Sequence, residues 1–334
     1  MLHPHTNKVL KAAAFSVVLL LALLWLFSCG KHESSDAAKT LQPKSFVSPD
    51  AASTALLDAA RSGDPNSLVA IFGSDGKDVV LTGNSQVDRQ HLESFVTAYD
   101  QMHRWVNLRA GGKVLYLGAV NYPFPIPLDQ NSSGQWVFDV GAGKDEMLAR
   151  RIGQNEITAI TACETTADAE HQYFSTTHDG SSVRHYAQKI FSDPGKQDGL
   201  YWPAQAGASE SPLGQVPEFA KVVANDDAGA KLRPFSGYYF RILTKQGLGA
   251  KGGAKDYVVN GNMTGGFAIL AYPAEYRNTG IMTFLVGTDG VVYQSDLGER
   301  SAELGAAMTE YNPGNEWKPA IPTQQYALSE GAGK

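Results

Sequence analysis

The sequence predicts an α+β fold arranged in two domains, and three observations lead to this prediction. A chain of 334 residues with 43% hydrophobic content has enough apolar side chains for two cores of ordinary size. Its 34 glycines and 16 prolines indicate many turns, which favours a mixed fold over a helical bundle. Helical periodicity and short β-prone runs both recur along the chain. We predict a signal peptide over residues 1–28, a flexible tether over 29–45, and domains over 46–140 and 141–334.

The first 28 residues have the pattern of an export signal. His3, His5, Lys8 and Lys11 precede an uncharged apolar run from Ala12 to Phe27. A basic region followed by an apolar region is typical of a signal peptide. The run has 16 residues. That is fewer than the roughly 20 that an untilted membrane-spanning helix needs.

The apolar run ends in the sequence LFSCGK, in which Leu26 and Ser28 precede Cys29. This resembles a bacterial lipoprotein signal, whose invariant cysteine receives the lipid, although Phe27 stands where a smaller side chain is usual. The resemblance makes Cys29 the expected lipid-attachment site. Gly30 after it implies sorting towards the outer membrane. The alternative is an uncleaved signal anchor with an unmodified cysteine. Both interpretations place the rest of the chain outside the cytoplasm, anchored to the bacterial cell envelope and facing the periplasm.

The charge of the chain bears on its partners. The formal net charge is −6, and the 26 basic and 34 acidic residues that remain without Lys8 and Lys11 of the leader give −8. Such a surface repels phosphate backbones, so we expect no nucleic-acid partner. The expected partner is the membrane, through the lipid or the amino-terminal hydrophobic segment, and an envelope protein could be a second partner.

The two cysteines and the tether complete the amino-terminal region. Cys29 and Cys163 are the only cysteines in the sequence, so no intramolecular disulfide forms if Cys29 carries lipid. The segment GKHESSDAAKTLQPK after Cys29 is polar and poor in aromatic residues, which is typical of a flexible tether. The fold is therefore expected to hold by burial alone.

Residues 46–140 combine helical and β-prone patterns. Ser48 and Pro49 precede DAASTALLDAARSG, which supplies a cap residue, a proline at the first helical position and Gly63 as a stop. A second short helix, NSLVAIF, follows, and an apolar stripe predicts a third helix over 87–105. The runs KVLYLGAV, FPIPL and GQWVFDV predict strands. This order of elements resembles a nuclear-transport-factor-like cone fold.

The cone resemblance implies a pocket. His91 and His103 could face the mouth of such a cone, with Tyr99 and Trp105 beside them. Related cones often hold a small ligand or an acid–base pair, so a small-ligand-binding or enzymatic cone domain is one alternative function. Twelve residues on one helix span more than three turns, which would leave the two histidines at different heights.

Residues 141–334 predict a long helix packed on an antiparallel sheet. An apolar stripe runs through a helix from about 144 to 174, and such a helix needs a surface to bury that face. GYYFRILT alternates between faces, and GIMTFLV is apolar on both faces, so we expect the latter at the centre of the sheet. Asp289-Gly290 predicts a tight hairpin. A short helix is also predicted around 183–191.

Motifs of this region carry two further resemblances. GYYFRILT, DYVVNG, GGFAILAYPAEYRNTGIMTF and DGVVYQSDLG, with DGLYWP and RRIGQNE upstream, closely resemble an exported bacterial family known as domain of unknown function 2950. That family implies no activity. The long helix with EHQYFST followed by these strands also resembles the head of type II pseudopilins. This implies a pilin-like head and, as an alternative function, a subunit of a secretion or assembly complex.

Three patterns could carry chemistry, and each has a simpler structural interpretation. His171, His178 and His185 are spaced by seven, but no further ligands follow at metal-like spacing. Cys163 and His171 lie two turns apart on one predicted helix face, too far for a thiol and its base. GLGAKG is followed by a strand where phosphate binding requires a helix.

We therefore expect no catalytic, cofactor or metal site. The chain is interpreted as an uncharacterised exported lipoprotein that acts as a non-catalytic binding or interaction protein. Enzymatic activity is left open but is not favoured.

Overall fold

A computed structural model describes residues 41–321, apart from 110, 179, 204–208 and 215–232. The described residues belong to one compact unit, Leu41–Lys334. The predicted signal peptide, the predicted lipid site Cys29 and all but the last residues of the predicted tether lie outside the described part of the chain. None of the described helices is long and apolar enough to cross a membrane. Helices and antiparallel sheets confirm the α+β class.

We call residues 41–139 the first lobe, and its helices begin and end largely where local chemistry predicts. They are α1 (Pro49–Ser62), α2 (Pro65–Phe72), α3 (Lys77–Val80) and α4 (Ser85–Gln101). The Ala51 backbone N–H donates to the hydroxyl of Ser48 at 3.1 Å, which caps α1. Gly63 ends α1 at φ +66°, a backbone conformation that glycine adopts without strain.

The helix α4 is shorter than the predicted span 87–105. It ends at Gln101, and Met102 already has extended backbone angles. The next residues form a strand that pairs with a second strand, so Trp105 lies opposite Leu115. The backbone N–H of Gly118 also donates to the carbonyls of Ala98 and Met102. These pairings override the helical stripe, because they satisfy the same backbone groups and bury β-prone side chains.

The first lobe has one antiparallel sheet. Its strands are β1 (His103–Asn107), β2 (Lys113–Leu117), β3 (Tyr122–Pro123), β4 (Leu128–Gln130) and β5 (Trp136–Phe138). The order is β1-β2-β4-β5, and β3 pairs with β2. The apolar side chains buried in this lobe fall into two clusters among the described residues, one around Phe72 and Phe138, the other around Tyr99 and Leu115.

A single long helix joins the lobe to the rest of the chain. This helix, α5 (Val140–Phe174), has 35 residues and begins at Asp139, whose side chain accepts from the Ala142 N–H. Near its start Gly143 lies so close to Ile126 that an added Cβ would come within 2.8 Å of Ile126 Cγ1. Farther along, α5 packs on the sheet of the second lobe, as its apolar stripe predicts.

We call residues 175–321 the second lobe, and a five-stranded antiparallel sheet forms its centre. The strands lie in the order β14 (Lys318–Pro319), β13 (Val292–Asp296), β12 (Met282–Gly287), β11 (Ala268–Pro273) and β6 (Tyr238–Leu243). The strand from GIMTFLV lies at the centre, as predicted. The helices α5 and α6 (Ser301–Ala307) both pack on the sheet, and Arg241 donates to the carbonyl of Ala306 while Phe240 on the opposite face is buried in the core.

The turns and small strands of the second lobe both support and correct the sequence prediction. The predicted Asp289-Gly290 turn joins β12 and β13, with Gly290 at φ +71°. The run DYVV is not one strand. Its residues pair in two short ladders, β7 (Lys245–Gln246) with β8 (Lys255–Asp256) and β9 (Val258–Val259) with β10 (Asn262–Met263).

The helix predicted around 183–191 is wrong. The Tyr186 backbone N–H donates to the Met263 carbonyl, and Phe191 forms a bridge with Tyr201. The Ala187 N–H donates to the carboxylate of Glu170. Partners far away in sequence therefore take the backbone groups that a helix would have paired locally.

Candidate functional site

A cavity of about 600 Å³ lies beside α4 in the first lobe, and we call it the α4 cavity. Apolar side chains from α1, α2, α3, α4 and the segment after β2 form most of its lining: Leu56, Leu68, Phe72, Val79, Val80, Leu92, Phe95, Leu117, Val120, Phe124, Pro125 and Ile126. Members of both apolar clusters of the lobe line it, and Phe95 and Phe124, which pack against both clusters, also line it. Its volume is within the range of small-molecule sites.

The packing of α4 reflects this cavity. Of its 17 residues, only Tyr99 is buried. By contrast, six residues of the 14-residue α1 are buried. Leu92, Phe95 and Ala98 lie on the apolar side of α4 and remain half-buried because they face the cavity. A helix in water gains most of its stability from burying an apolar face, so α4 leaves part of this gain unused.

The lining of the α4 cavity carries no formal charge. No Asp, Glu, Lys or Arg is found among the described residues that line it. The polar side chains that α4 contributes are His91, Ser94 and Gln101, all solvent-exposed at the edge of the cavity. Gln101 is already engaged, since its Oε1 accepts from the Ala119 backbone N–H at 3.3 Å. An ionic group would lose its hydration in this cavity without gaining a partner, so the lining favours an uncharged apolar occupant.

Large apolar side chains stand exposed at one end of the cavity, and we call this end the mouth. It is formed by Val120, Tyr122 and Met147, which are 74%, 50% and 39% exposed. Arg150 donates to the Tyr122 hydroxyl at 2.8 Å, and Arg104 donates to the side-chain oxygen of Asn121 at 2.9 Å. Two guanidinium groups therefore hold the residues next to the exposed Val120.

The structure brings only one of the four residues of the predicted pocket to the α4 cavity. His91 lines the α4 cavity, whereas Tyr99, His103 and Trp105 are not among its lining residues. The Tyr99 hydroxyl donates to Ser53 Oγ at 3.2 Å. The His103 ring stacks on Tyr99 with ring centroids 3.8 Å apart. Trp105 is half-buried, and its Nε1 has no hydrogen-bond partner within the described part of the chain.

A charged groove next to the cavity has a structural interpretation. It is lined by Asp78, Asp88, Glu93 and several basic side chains. The side-chain hydroxyl and the backbone N–H of Thr82 both donate to Asp88, and these hydrogen bonds hold the pKa of Asp88 below its usual value. Asp88 thus closes the turn at the start of α4, which gives this carboxylate a structural role.

The three histidines spaced by seven are packed against aromatic rings. His178 stacks on Tyr173 with centroids 3.7 Å apart, and His185 meets the same ring edge-on at 5.8 Å. His171 contacts Phe267 at 5.2 Å. No group of three or more metal-ligating side chains occurs in the described residues.

The helix α5, which packs on the five-stranded sheet of the second lobe, carries the buried titratable groups Cys163 and Glu170. Cys163 is fully buried, and burial raises the pKa of its thiol, which makes it a poor nucleophile. Glu170 is also fully buried, and its Oε2 accepts from the Ala187 N–H at 2.8 Å. Its Oε1 has no partner among the described residues. Burial raises the pKa of Glu170 well above its usual value.

The glycine-rich segment GLGAKG connects β7 to β8. It therefore joins two antiparallel strands, as predicted, and does not open a helix. The Gln246 side chain donates to the carbonyls of Lys251 and Gly253 inside this connection. These hydrogen bonds fix the shape of a loop. Because no helix begins after the segment, it does not supply the backbone N–H groups of a helix N-terminus that bind a phosphate.

Two of the motifs in the second part of the chain contact each other directly. From RRIGQNE on α5, Arg151 donates to Asn278, and Asn155 donates to the Thr279 carbonyl. Glu156 Oε1 accepts from the backbone N–H groups of Ile281 and Met282 at 2.8 and 3.0 Å. These contacts hold the β11–β12 loop against α5. A structural role therefore accounts for both motifs.

Comparisons with known proteins identify the family of the chain. The sequence matches the family described as "Protein of unknown function (DUF2950)" over residues 43–320, and the chain belongs to this family. No curated protein and no solved structure gives a significant match. The pseudopilin resemblance therefore finds no support, and neither the cone-like nor the pilin-like description is confirmed by a solved structure.

Proposed function

We propose that this chain is an exported, membrane-anchored binding protein that holds an apolar ligand, or the apolar part of a larger ligand, in the α4 cavity. The observation that carries the proposal is the charge-free lining beside a 17-residue helix with one buried side chain. A contiguous apolar surface that lines a cavity commonly marks a binding site.

The lining also favours binding over catalysis. General acid–base catalysis needs two titratable groups within reach of a substrate. No carboxylate, thiol or amine accompanies His91 among the described lining residues. The Asp88 carboxylate, three residues before His91 on α4, lines the charged groove instead and accepts from Thr82. A small-ligand site therefore has more support than an enzymatic cone.

The predicted amino terminus supports the location. An apolar run followed by Cys29 suits a lipid anchor that holds the chain at the cell envelope, with the outer membrane favoured. Mass spectrometry of the chain extracted from bacterial membranes tests this part. A diacylglyceryl adduct on Cys29 and loss of the first 28 residues are expected, and an intact Met1 would refute cleavage at this site.

Ligand binding is tested with N-phenyl-1-naphthylamine, an uncharged dye that fluoresces in apolar surroundings. The full chain is kept in solution by an amphipol, so that no free micelles take up the dye. Saturable binding is expected. The variant Ser94→Trp places an indole at the edge of the cavity. We expect it to weaken dye binding by up to about tenfold, which corresponds to a loss of binding free energy of up to about 1.4 kcal/mol.

Gln90→Trp is the matched control. Gln90 is exposed on the same helix but does not line the cavity. The control should bind the dye like the wild type. Equal binding by all three proteins, or no saturable binding by the wild type, would mean that the α4 cavity is not a ligand site.

A further inference from the structure

The α4 cavity is elongated, which restricts the shape of its occupant. Its α4 lining runs from His91 to Gln101. Ten residues of α-helix rise by about 15 Å, so the cavity follows the helix for that distance. Between these two residues, Leu92, Phe95 and Ala98 present apolar side chains to the cavity. A linear hydrocarbon chain fits such a surface better than a compact ring system does.

The mouth is apolar as well as exposed. Val120, Tyr122 and Met147 are exposed and are continuous with the cavity lining. Val120 stands at the tip of the turn between β2 and β3, where neighbouring Asn121 has a φ of +54°. Water-exposed apolar side chains at a cavity entrance are costly in isolation, but they suit contact with a lipid surface from which a chain enters.

Two cations contact the segment that carries this mouth, Arg104 through Asn121 and Arg150 through Tyr122, although neither lines the cavity itself. The Arg104 guanidinium donates to Asn121 and stacks over the Tyr116 ring, and no carboxylate of the described residues pairs with it. Arg150 stacks over the Tyr122 ring and pairs with Glu146, which neutralises part of its charge. An anionic group at the mouth would therefore meet one unpaired guanidinium and one partly paired guanidinium.

We infer that the occupant is an amphipathic lipid, with its hydrocarbon chain in the α4 cavity and an anionic headgroup beside Arg104 at the mouth. This inference rests on the proposed function and names the ligand class. A fatty acid and a phospholipid share this chemistry, and the experiment separates these two sources.

Photoactivatable lipids test the inference in a bilayer. The full chain is inserted into vesicles that contain a trace of one probe with a diazirine near the end of its hydrocarbon chain. The three probes are an anionic phospholipid, a fatty acid and an uncharged alkane. After irradiation, adducts are mapped on tryptic peptides. We expect adducts from an anionic probe on the peptide 90–104, which carries the α4 face of the cavity.

Two peptides and two pairs of variants make the result specific. The peptide 246–251 contains Leu248, which is 85% exposed but lies outside the cavity, and it should stay unlabelled. Ser94→Trp should remove the adducts on 90–104, whereas Gln90→Trp should keep them. At the mouth, Val120→Asp should lower the yield by about two- to fivefold, since a charge near a lipid interface has a modest cost.

Val47→Asp is the matched control for the mouth variant. Val47 is 84% exposed and does not line the cavity, so its replacement should leave the yield unchanged. The anionic probes should label about two- to fivefold more strongly than the alkane, as expected of an exposed ionic contact.

The outcomes separate this inference from the proposed function. Labelling by the phospholipid or by the fatty acid supports the inference and identifies the source. Labelling by the alkane alone, or equal labelling of 90–104 and 246–251, overturns it. No labelling with intact dye binding also overturns it and leaves the proposed function standing, whereas loss of dye binding refutes the proposed function itself.

Discussion

The helix α4 of the first lobe and the strand β12 of the second lobe both cover apolar surface, with opposite results. Only one residue of the 17 in α4 is buried. In β12, five of the six residues are buried, and both faces of the sheet carry a helix. The second lobe has one continuous apolar cluster among its described residues, whereas the first lobe has two clusters, and members of both line the α4 cavity.

This difference teaches where each lobe can have a function. Native interiors are packed to the density of organic crystals, so a closed core has no room for a ligand. The core between α5 and the sheet of the second lobe meets this description, and the titratable side chains Cys163 and Glu170 that α5 contributes there are fully buried. The first lobe gives up part of its packing and gains an apolar surface that another molecule can cover.

The largest expected effect comes from matched deletions of one phenyl ring in each lobe. Phe284 on β12 is fully buried, whereas Phe95 on α4 is half-buried and lines the cavity. Phe284→Ala should lower the free energy of unfolding by about 3–5 kcal/mol, as large-to-small changes in closed cores do. Phe95→Ala should lower it by less than half as much, because the ring already faces open space. Urea denaturation of the full chain measures both values.

Equal losses in the free energy of unfolding for Phe284→Ala and Phe95→Ala would contradict the contrast between β12 and α4. That result would mean that α4 is as tightly packed as β12 and that the cavity closes in solution. A variant at an exposed position of α4, Gln90→Ala, controls for the helix itself, since its side chain is exposed and lines no part of the cavity.

The two lobes also differ in how far the sequence predicts them. Local chemistry sets the ends of α1, because Ser48, Pro49 and Gly63 act within one turn of the helix. The central position of β12 follows from its apolar residues on both faces. These features depend on neighbours in sequence, and the prediction is correct for both.

Features that depend on distant partners were missed. His103 and Trp105 lie in a strand because β2 pairs with them, and the segment around Tyr186 is not a helix because Met263 takes its backbone N–H. The α4 cavity has no sequence pattern at all, since it is defined by where side chains do not meet. Of the four predicted pocket residues, the structure places only His91 at its lining.

A second prediction uses the buried carboxyl of the closed lobe. Burial raises the pKa of Glu170 in the folded chain above its ordinary value of 4.5, whereas the unfolded chain ionises near 4.5. The unfolded state therefore loses this proton first, and folding stability should fall as pH rises from 4.5 towards the folded pKa. Glu170→Gln removes this titration, so the difference in unfolding free energy between variant and wild type should grow in favour of the variant from pH 4 to pH 8.

Urea titrations of both proteins at pH 4, 6 and 8 check the sign. Parallel stability curves would show that Glu170 is ionised in the folded chain, in which case an unseen partner must satisfy its Oε1. Glu303→Gln is a suitable control, because Glu303 is an exposed carboxylate paired with Arg300 on the surface. That pairing lowers the pKa of Glu303, so its contribution runs in the opposite direction, with stability lost as pH falls.

The smallest expected effect concerns a buried polar group without a hydrogen-bond partner in the core of the second lobe. Thr283 on β12 is fully buried, and its hydroxyl has no hydrogen-bond partner within the described residues. An unsatisfied buried hydroxyl costs about 1–3 kcal/mol, and valine keeps the same shape without it. Thr283→Val should therefore raise the free energy of unfolding by about 1 kcal/mol.

The neighbouring Ser295 lies opposite Thr283 in the β12–β13 pair, so Ser295→Ala shows whether the two hydroxyls interact in solution. If Thr283→Val and Ser295→Ala destabilise the chain equally, the two hydroxyls bond to each other and the β12–β13 pair carries no unsatisfied hydroxyl. The contrast with the first lobe would then be sharper, because the closed sheet would carry no such cost while α4 still leaves apolar surface uncovered.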